Sequence, residues 1–260
     1  MQMRFGLALV ATWLSLAPRT SDVKTREIEY RQGDTVLRGY IAWDDAARGK
    51  RPGVLVVHEW WGLNDYARTQ ARRIAEAGYV GFAIDMYGNG KSTTHPEEAQ
   101  GFMVDATKDP GVLAARFDAA LEALKRDPHV DPARIAAIGS CFGGGVVLNM
   151  ARAGADLAAV VSFHGAIATK NPAQPGKVKA RVLVLTGGAD PFIPPAQVEA
   201  VRAELQAAGA RFDIVTYPGA KHGFTNPDAA SYGMAQLAYD SAAARQSWAA
   251  MRQLFREVFP

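Results

Sequence analysis

The sequence predicts an α/β protein: a mostly parallel sheet with helices on both faces and an N-terminal edge hairpin. Three observations carry this. Short, almost wholly apolar runs recur, such as Gly53–His58 (GVLVVH), and such runs mark strands buried on both faces. Helical segments of ten or more residues separate them, the order that gives a parallel sheet with crossover helices. The first apolar residues, from Arg26 to Trp43, instead alternate with polar ones around Gly33-Asp34, as the strands of an antiparallel hairpin do.

Taken in order, the strand Gly53–His58 is followed by an expected helix from Asp65 to Ala77. That helix places Ala67, Ala71, Ile74 and Ala75 on one face, with Arg68, Arg72 and Arg73 around it and Gly78 ending it. Val80 to Ile84 reads as a strand, Val112 to Lys125 as a helix turning Val112, Ala115, Ala119 and Leu124 inward, and Arg134 to Ile138 as a strand. A glycine-rich turn leads into an apolar helix from Gly144 to Arg152, then strands at Ala158 to Phe163 and Val182 to Thr186. The helix Pro195 to Ala208, the strand Phe212 to Tyr217 and a final helix from about Ala242 to Phe259 complete the chain. In open sheets of this kind ligands bind beyond the carboxyl ends of the strands, so residues there are the first candidates for function.

With 260 residues, 48% of them hydrophobic and 21% charged, the chain can bury one large core, and no linker divides residues 25–260, which read as one domain. A net charge of +3, with bases scattered among acids, leaves no footprint for nucleic acid. Residues 1–24 read as a leader. Arg4 precedes the apolar stretch Phe5 to Ala17, which has the length and charge order of a signal peptide and is too short to span a bilayer. This points to a periplasmic or secreted protein. Pro18 after the apolar stretch and the single basic residue before it keep open the alternative of a cytoplasmic protein with an uncleaved leader.

Gly139-Ser140-Cys141-Phe142-Gly143 joins a predicted strand to a predicted helix, the pattern of a nucleophile elbow. The elbow strains its central residue and needs glycines on both sides so that strand and helix can approach. Cys141 is that centre and the only cysteine, so no internal disulfide competes for it, and a helix N-terminus beside it favours thiolate. Ser140 flanks the centre and is expected to pack. Asp190 closes the run VLVLTGGAD, just past a strand, and His222 follows the strand Phe212 to Tyr217. The order nucleophile, acid, base is that of the α/β-hydrolases and not of chymotrypsin or subtilisin. In that scheme His222 holds and returns the proton of Cys141, and Asp190 orients the imidazole. His58-Glu59-Trp60-Trp61-Gly62 ends another strand, on the loop that supplies an oxyanion donor in this fold. It is not a zinc motif, because the second histidine would fall at Gly62. A glutamate buried beside two tryptophans resists ionisation or seeks a partner.

These residues together resemble the dienelactone hydrolase family across nearly the whole chain after residue 25: the elbow through Gly144, the Glu59 loop, Asp85-Met86-Tyr87, Asp190, and Lys221-His222-Gly223-Phe224. The resemblance implies a carboxymethylenebutenolidase-like carboxylic ester hydrolase in which Glu59 interacts with the resting Cys141 thiol and assists its activation. It also implies an oxyanion hole built from the backbone N–H groups of Trp60 and Phe142. The enzymes that hydrolyse dienelactone hold its carboxylate with two arginines, and here those offsets carry Asn89 and Asn226. A neutral amide cannot replace a bidentate guanidinium, so the family does not fix the substrate, although Lys91 and Lys221 are nearby cations.

The expected activity is hydrolysis of a small-molecule ester or lactone through an acyl-thioester on Cys141, with no metal or organic cofactor. Trp61, Tyr87, Asn89 and Asn226 are the candidate substrate-binding residues, with Trp60 and Phe142 able to add to an aromatic lining. Two alternatives stay open: a thiol-based redox protein, against which stands the lack of a resolving cysteine, and a non-catalytic small-molecule binder on a hydrolase scaffold. Oligomeric state is not legible in the sequence.

Overall fold

The computed structural model describes residues 21–260. The expected leader's apolar stretch, 5–17, lies outside the described residues. One sheet of eight strands organises the rest: β1 (Val23–Gln32), β2 (Thr35–Asp44), β3 (Arg51–Val57), β4 (Val80–Ile84), β5 (Val130–Ser140), β6 (Ala159–Phe163), β7 (Arg181–Gly187) and β8 (Phe212–Tyr217). Their order across the sheet is β1-β2-β4-β3-β5-β6-β7-β8. β1 and β2 form the edge hairpin, β2 runs antiparallel to β4, and all later pairs are parallel.

Period-two alternation assigns each parallel strand's residues to two cores. In β3, Leu55 and Val57 face one cluster with Phe82, Phe117, Leu124 and Val147, while Val54 and Val56 face another with Ala71, Ile74, Met251 and Phe255. Helices α3 (Pro110–Lys125), α4 (Phe142–Ala153) and α5 (Pro195–Ala207) supply the first cluster; α1 (Asp65–Glu76) and α6 (Ser241–Val258) supply the second. Asn64 caps α1 by accepting from Ala67 N at 3.2 Å, and Gly78, at φ +94°, turns the chain away from its end.

Two expectations need correction. A further helix, α2 (Pro96–Thr107), precedes α3. Its apolar residues Phe102, Met103 and Val104 are consecutive rather than spaced, and only Ala99 and Ala106 are buried, so periodicity does not reveal it. Strand β5 starts at Val130, not Arg134. Its first residues pair with Arg51 and Pro52 before a register shift, and Pro132 masks that stretch in the sequence.

The chain leaves β3 for β4 on one side and enters β5 on the other, so the sheet's topological switch point lies between β3 and β5. Loops leaving these neighbours diverge and open a crevice. The Glu59 loop and the elbow are those two loops.

Candidate active site

Cys141 occupies the elbow with φ 54° and ψ −118°, a left-handed conformation that side chains other than glycine rarely adopt. Neighbouring backbone holds it there: Cys141 N donates to Phe163 O at 3.0 Å, and Cys141 O accepts from Ala166 N at 3.2 Å. The flanking glycines are required by contact. A Cβ on Gly139 would lie 2.1 Å from Gly143 O, and one on Gly143 would lie 2.3 Å from Val57 O. Ser140 points away from the cavity and lines a separate pocket with Tyr66.

The sequence-predicted acid and base meet. His222 Nδ1 and Asp190 Oδ2 are 2.8 Å apart and both residues are buried. Asp190 Oδ1 also accepts from Phe192 N at 2.9 Å, which fixes the carboxylate's rotation. Burial opposes protonation of His222, but the adjacent Cys141 sulfur and the Asp190 carboxylate outweigh it and raise the imidazole to about 10. The ring therefore carries its proton at neutral pH.

Glu59 is buried, and its Oε2 accepts from Asn226 Nδ2 at 2.7 Å. Among the described residues this amide, and not Cys141, is its hydrogen-bond partner. Burial raises the carboxyl to about 7, with Asn226 and the His222 charge pulling the other way. Near neutrality, Glu59 is poised between acid and carboxylate.

Phe142 N–H, the first of α4, and Trp60 N–H have no acceptor among the described residues, which leaves both free to receive an oxyanion. His58 is structural: Met86 N donates to its Nε2 at 3.2 Å, and its Nδ1 meets Glu59 O at 2.6 Å. Since Nε2 accepts, Nδ1 carries the hydrogen and the ring is neutral. Asp85 is also structural. Its carboxylate accepts from the backbone N–H groups of Arg38, Tyr87, Gly88 and Gly90, which shapes the loop behind the Glu59 segment.

Cys141, His222, Glu59 and Asn226 all line one cavity of about 470 Å³. Its walls are mainly apolar, with Trp60, Trp61, Phe142, Phe192, Met103 and Leu237 contributing. Trp61 is held flat against Tyr232, ring centroids 3.8 Å apart. Two expected substrate-binding residues fall elsewhere. Tyr87 braces the site from behind, donating to Trp60 O at 3.0 Å and packing on Phe142, and Asn89 is exposed on the turn beyond it. The two lysines also face away: Lys221 Nζ donates to Ala235 O, and Lys91 lies over the Phe102 ring. No Lys or Arg side chain borders the cavity among the described residues.

One buried residue was missed by the sequence reading. His164 follows β6 at φ 38°, wholly buried, with its ring edge-on to His222 at 5.2 Å and Nε2 2.7 Å from Thr225 Oγ1. Burial and the His222 charge hold it far below the ordinary histidine range, so its 4.0 Å approach to Glu59 is not an ion pair. The available signal was its position at the carboxyl end of a strand in the sheet, the end at which Cys141, Asp190 and His222 also lie.

A strained strand–turn–helix elbow at a switch point, followed in sequence by an aspartate and a histidine that pair on later strand-end loops, is the arrangement of an α/β-hydrolase. The dienelactone hydrolase family profile matches residues 37–259, and the chain belongs to that family; it is a carboxylic ester hydrolase. A proposed carboxymethylenebutenolidase of Methylorubrum extorquens is 30% identical over 266 aligned positions, spanning 97% of this chain and 88% of that protein. Among solved structures, m3DLH is 41% identical with a TM-score of 0.87, covering 92% of this chain and 99% of its own. The dienelactone hydrolase-like promiscuous phosphotriesterase P91 from metagenomic libraries is 36% identical with a TM-score of 0.86 over the same shares.

Proposed function

We propose that this enzyme hydrolyses uncharged carboxylic esters or lactones through an acyl-thioester on Cys141. The observation that carries the reading is the strained Cys141 at the elbow beside a His222–Asp190 pair closed at 2.8 Å, in an apolar cavity that no Lys or Arg side chain borders among the described residues. An anionic substrate would meet the buried Glu59 carboxyl with no Lys or Arg to offset it, the His222 charge being already paired with Asp190.

The thiolate attacks the acyl carbon, and the developing oxyanion receives the N–H groups of Trp60 and Phe142. His222, already charged, gives its proton to the departing alkoxide. A water then attacks the thioester with His222 as base, which expels the Cys141 sulfur, releases the acid and leaves His222 charged again. Asp190 keeps Nδ1 protonated and the ring in register. Glu59 assists thiol activation from the opposite wall.

Intact-protein mass spectrometry of wild type and Cys141→Ser after brief mixing with p-nitrophenyl acetate tests this, alongside released nitrophenol. The expected result is a transient acetyl adduct on the wild type, mapped to Cys141 and accompanied by turnover. Nitrophenol release without any adduct, or undiminished turnover by Cys141→Ala, would overturn the covalent route. Neither adduct nor turnover would favour the binding or redox alternatives.

The likeness to P91 supports a second activity at the same site. A neutral phosphotriester makes the same demands, an apolar cavity and a nucleophile aimed at an electrophilic centre with two N–H donors beside it. Nitrophenol release from a dialkyl p-nitrophenyl phosphate, lost in Cys141→Ser, is the expected outcome.

A further inference from the structure

Glu59 separates two cavities. The substrate cavity lies in front. Behind, between β3, β5, α1 and α6, is a second pocket of about 10 Å³, the space one water needs. Among the described residues, Glu59 alone borders both.

The polar groups at the rear pocket already form a chain. Tyr66 Oη is 2.7 Å from Thr225 Oγ1, which is 2.7 Å from His164 Nε2, and that nitrogen is 4.0 Å from Glu59 Oε1. Ser140 borders the same pocket as Tyr66. All five residues are more than nine-tenths buried, and His164 Nδ1 has no partner. Glu59, Tyr66, Ser140 and Thr225 all border this pocket, so one water in it can bond the carboxyl and the hydroxyls together. At the outer end the pocket is bordered by Arg73 and Trp248, half-buried and stacked at 3.9 Å, so solvent lies directly beyond.

We propose that the rear pocket is a water site through which the Glu59 carboxyl exchanges its proton with solvent while an acyl group fills the front cavity. The proposal rests on the acyl-enzyme reading above. The His222 charge favours ionised Glu59 and burial opposes it. When His222 hands its proton to the leaving group that support is gone, and Glu59 takes up a proton. When the attacking water recharges His222, Glu59 releases it. Both events fall within the life of the acyl-enzyme, when the front cavity holds the acyl group and the attacking water.

Only a proton moves. The Glu59 O–H bond breaks, its electron pair stays on the carboxylate, an O–H bond forms on the pocket water, and that water passes a proton outward. The groups facing Glu59 are His222, His164, Tyr66, Tyr232 and Asn226, with Cys141 across the cavity. His164, held neutral, orients Thr225 rather than carrying charge.

Tyr66→Phe and Thr225→Val each remove one hydroxyl and almost no volume, and thermal melts check that both variants fold. With p-nitrophenyl acetate, the Cys141 adduct should decay roughly tenfold more slowly in either variant, while kcat/KM, set by acylation, stays within about twofold. The solvent deuterium isotope effect on adduct decay should rise in both. A crystal structure of the wild type should show one ordered water in the rear pocket within hydrogen-bonding distance of Glu59. A dry pocket, unchanged decay, or kcat and kcat/KM falling by the same factor would each overturn the relay, the last by showing a merely structural role. Absence of any adduct on the wild type is read separately: it would sink the acyl-enzyme reading and this proposal with it.

Discussion

The reacting side of the substrate cavity and its outer wall are built in different ways. Cys141 directly follows β5, Asp190 and His222 lie on the loops just past β7 and β8, and backbone contacts hold these loops from several directions. Even a methyl group has no room at Gly139, Gly143 or Gly187. The wall opposite comes from α2, the loop before α5, α5 itself and the segment 229–237; Gly101 has nothing within 4 Å and Phe192, on that loop, is 45% exposed. The reacting side is specified by close main-chain packing, and the wall chiefly by its side chains. Such a division lets a family change substrate by altering the wall while the chemistry stands.

The largest effect should come from the reacting side. Asp190→Asn preserves shape, but an amide that donates toward Nδ1 selects the wrong imidazole tautomer. The same exchange in a serine-protease triad lowers kcat by roughly 10⁴, and a fall of about 10³ or more is expected here. Stopped-flow acylation with p-nitrophenyl acetate measures it. A loss below about tenfold would show that Asp190 merely packs, and would erase the contrast with the wall.

A smaller effect, on stability, separates the two sides by pH. Folded Glu59 keeps its proton up to about pH 7, whereas an unfolded glutamate releases it near 4.5. Between those values the folded state binds more protons, so this group's contribution to stability falls as pH rises through the window, by on the order of 3 kcal/mol. Glu59→Gln can still accept from Asn226 and does not titrate. Its stability relative to wild type should therefore climb from pH 4.5 to pH 7 and then level off, as read by urea melts. Gln197→Ala, on the wall, should show no such trend. His222 adds a further decline in the wild type between about 6.5 and 10, because its folded imidazole is also raised.

The same contrast decides what was legible in the sequence. Elbow glycines, a strand-terminal Glu59, and the order Cys141, Asp190, His222 are direct imprints of backbone constraints, so they read clearly. The wall leaves no such imprint: α2 has no apolar period, and the Trp61–Tyr232 stack joins residues far apart in sequence with nothing local to link them. Tyr87 was expected at the substrate as an aromatic residue near a strand end and Asn89 as the occupant of a family arginine offset, yet Asp85 curls that loop so that Tyr87 points behind Trp60. His164 was overlooked for the opposite reason, as a lone histidine in an apolar run whose importance arises only when β6 sets it against His222.

The smallest expected effect tests the wall itself. Met103, on α2, borders the cavity without a hydrogen bond or a place in the chemistry. Met103→Ala removes apolar contact of about 1 kcal/mol from any substrate long enough to reach it. For p-nitrophenyl acetate, which is too short, both kinetic constants should stay at the wild-type level. For the hexanoate KM should rise roughly fivefold with kcat unchanged, the signature of binding lost equally from ground and transition states. A fall in kcat on the short ester would mean that α2 helps to hold Cys141 or Phe142 in place, so that wall and reacting side are one mechanical unit.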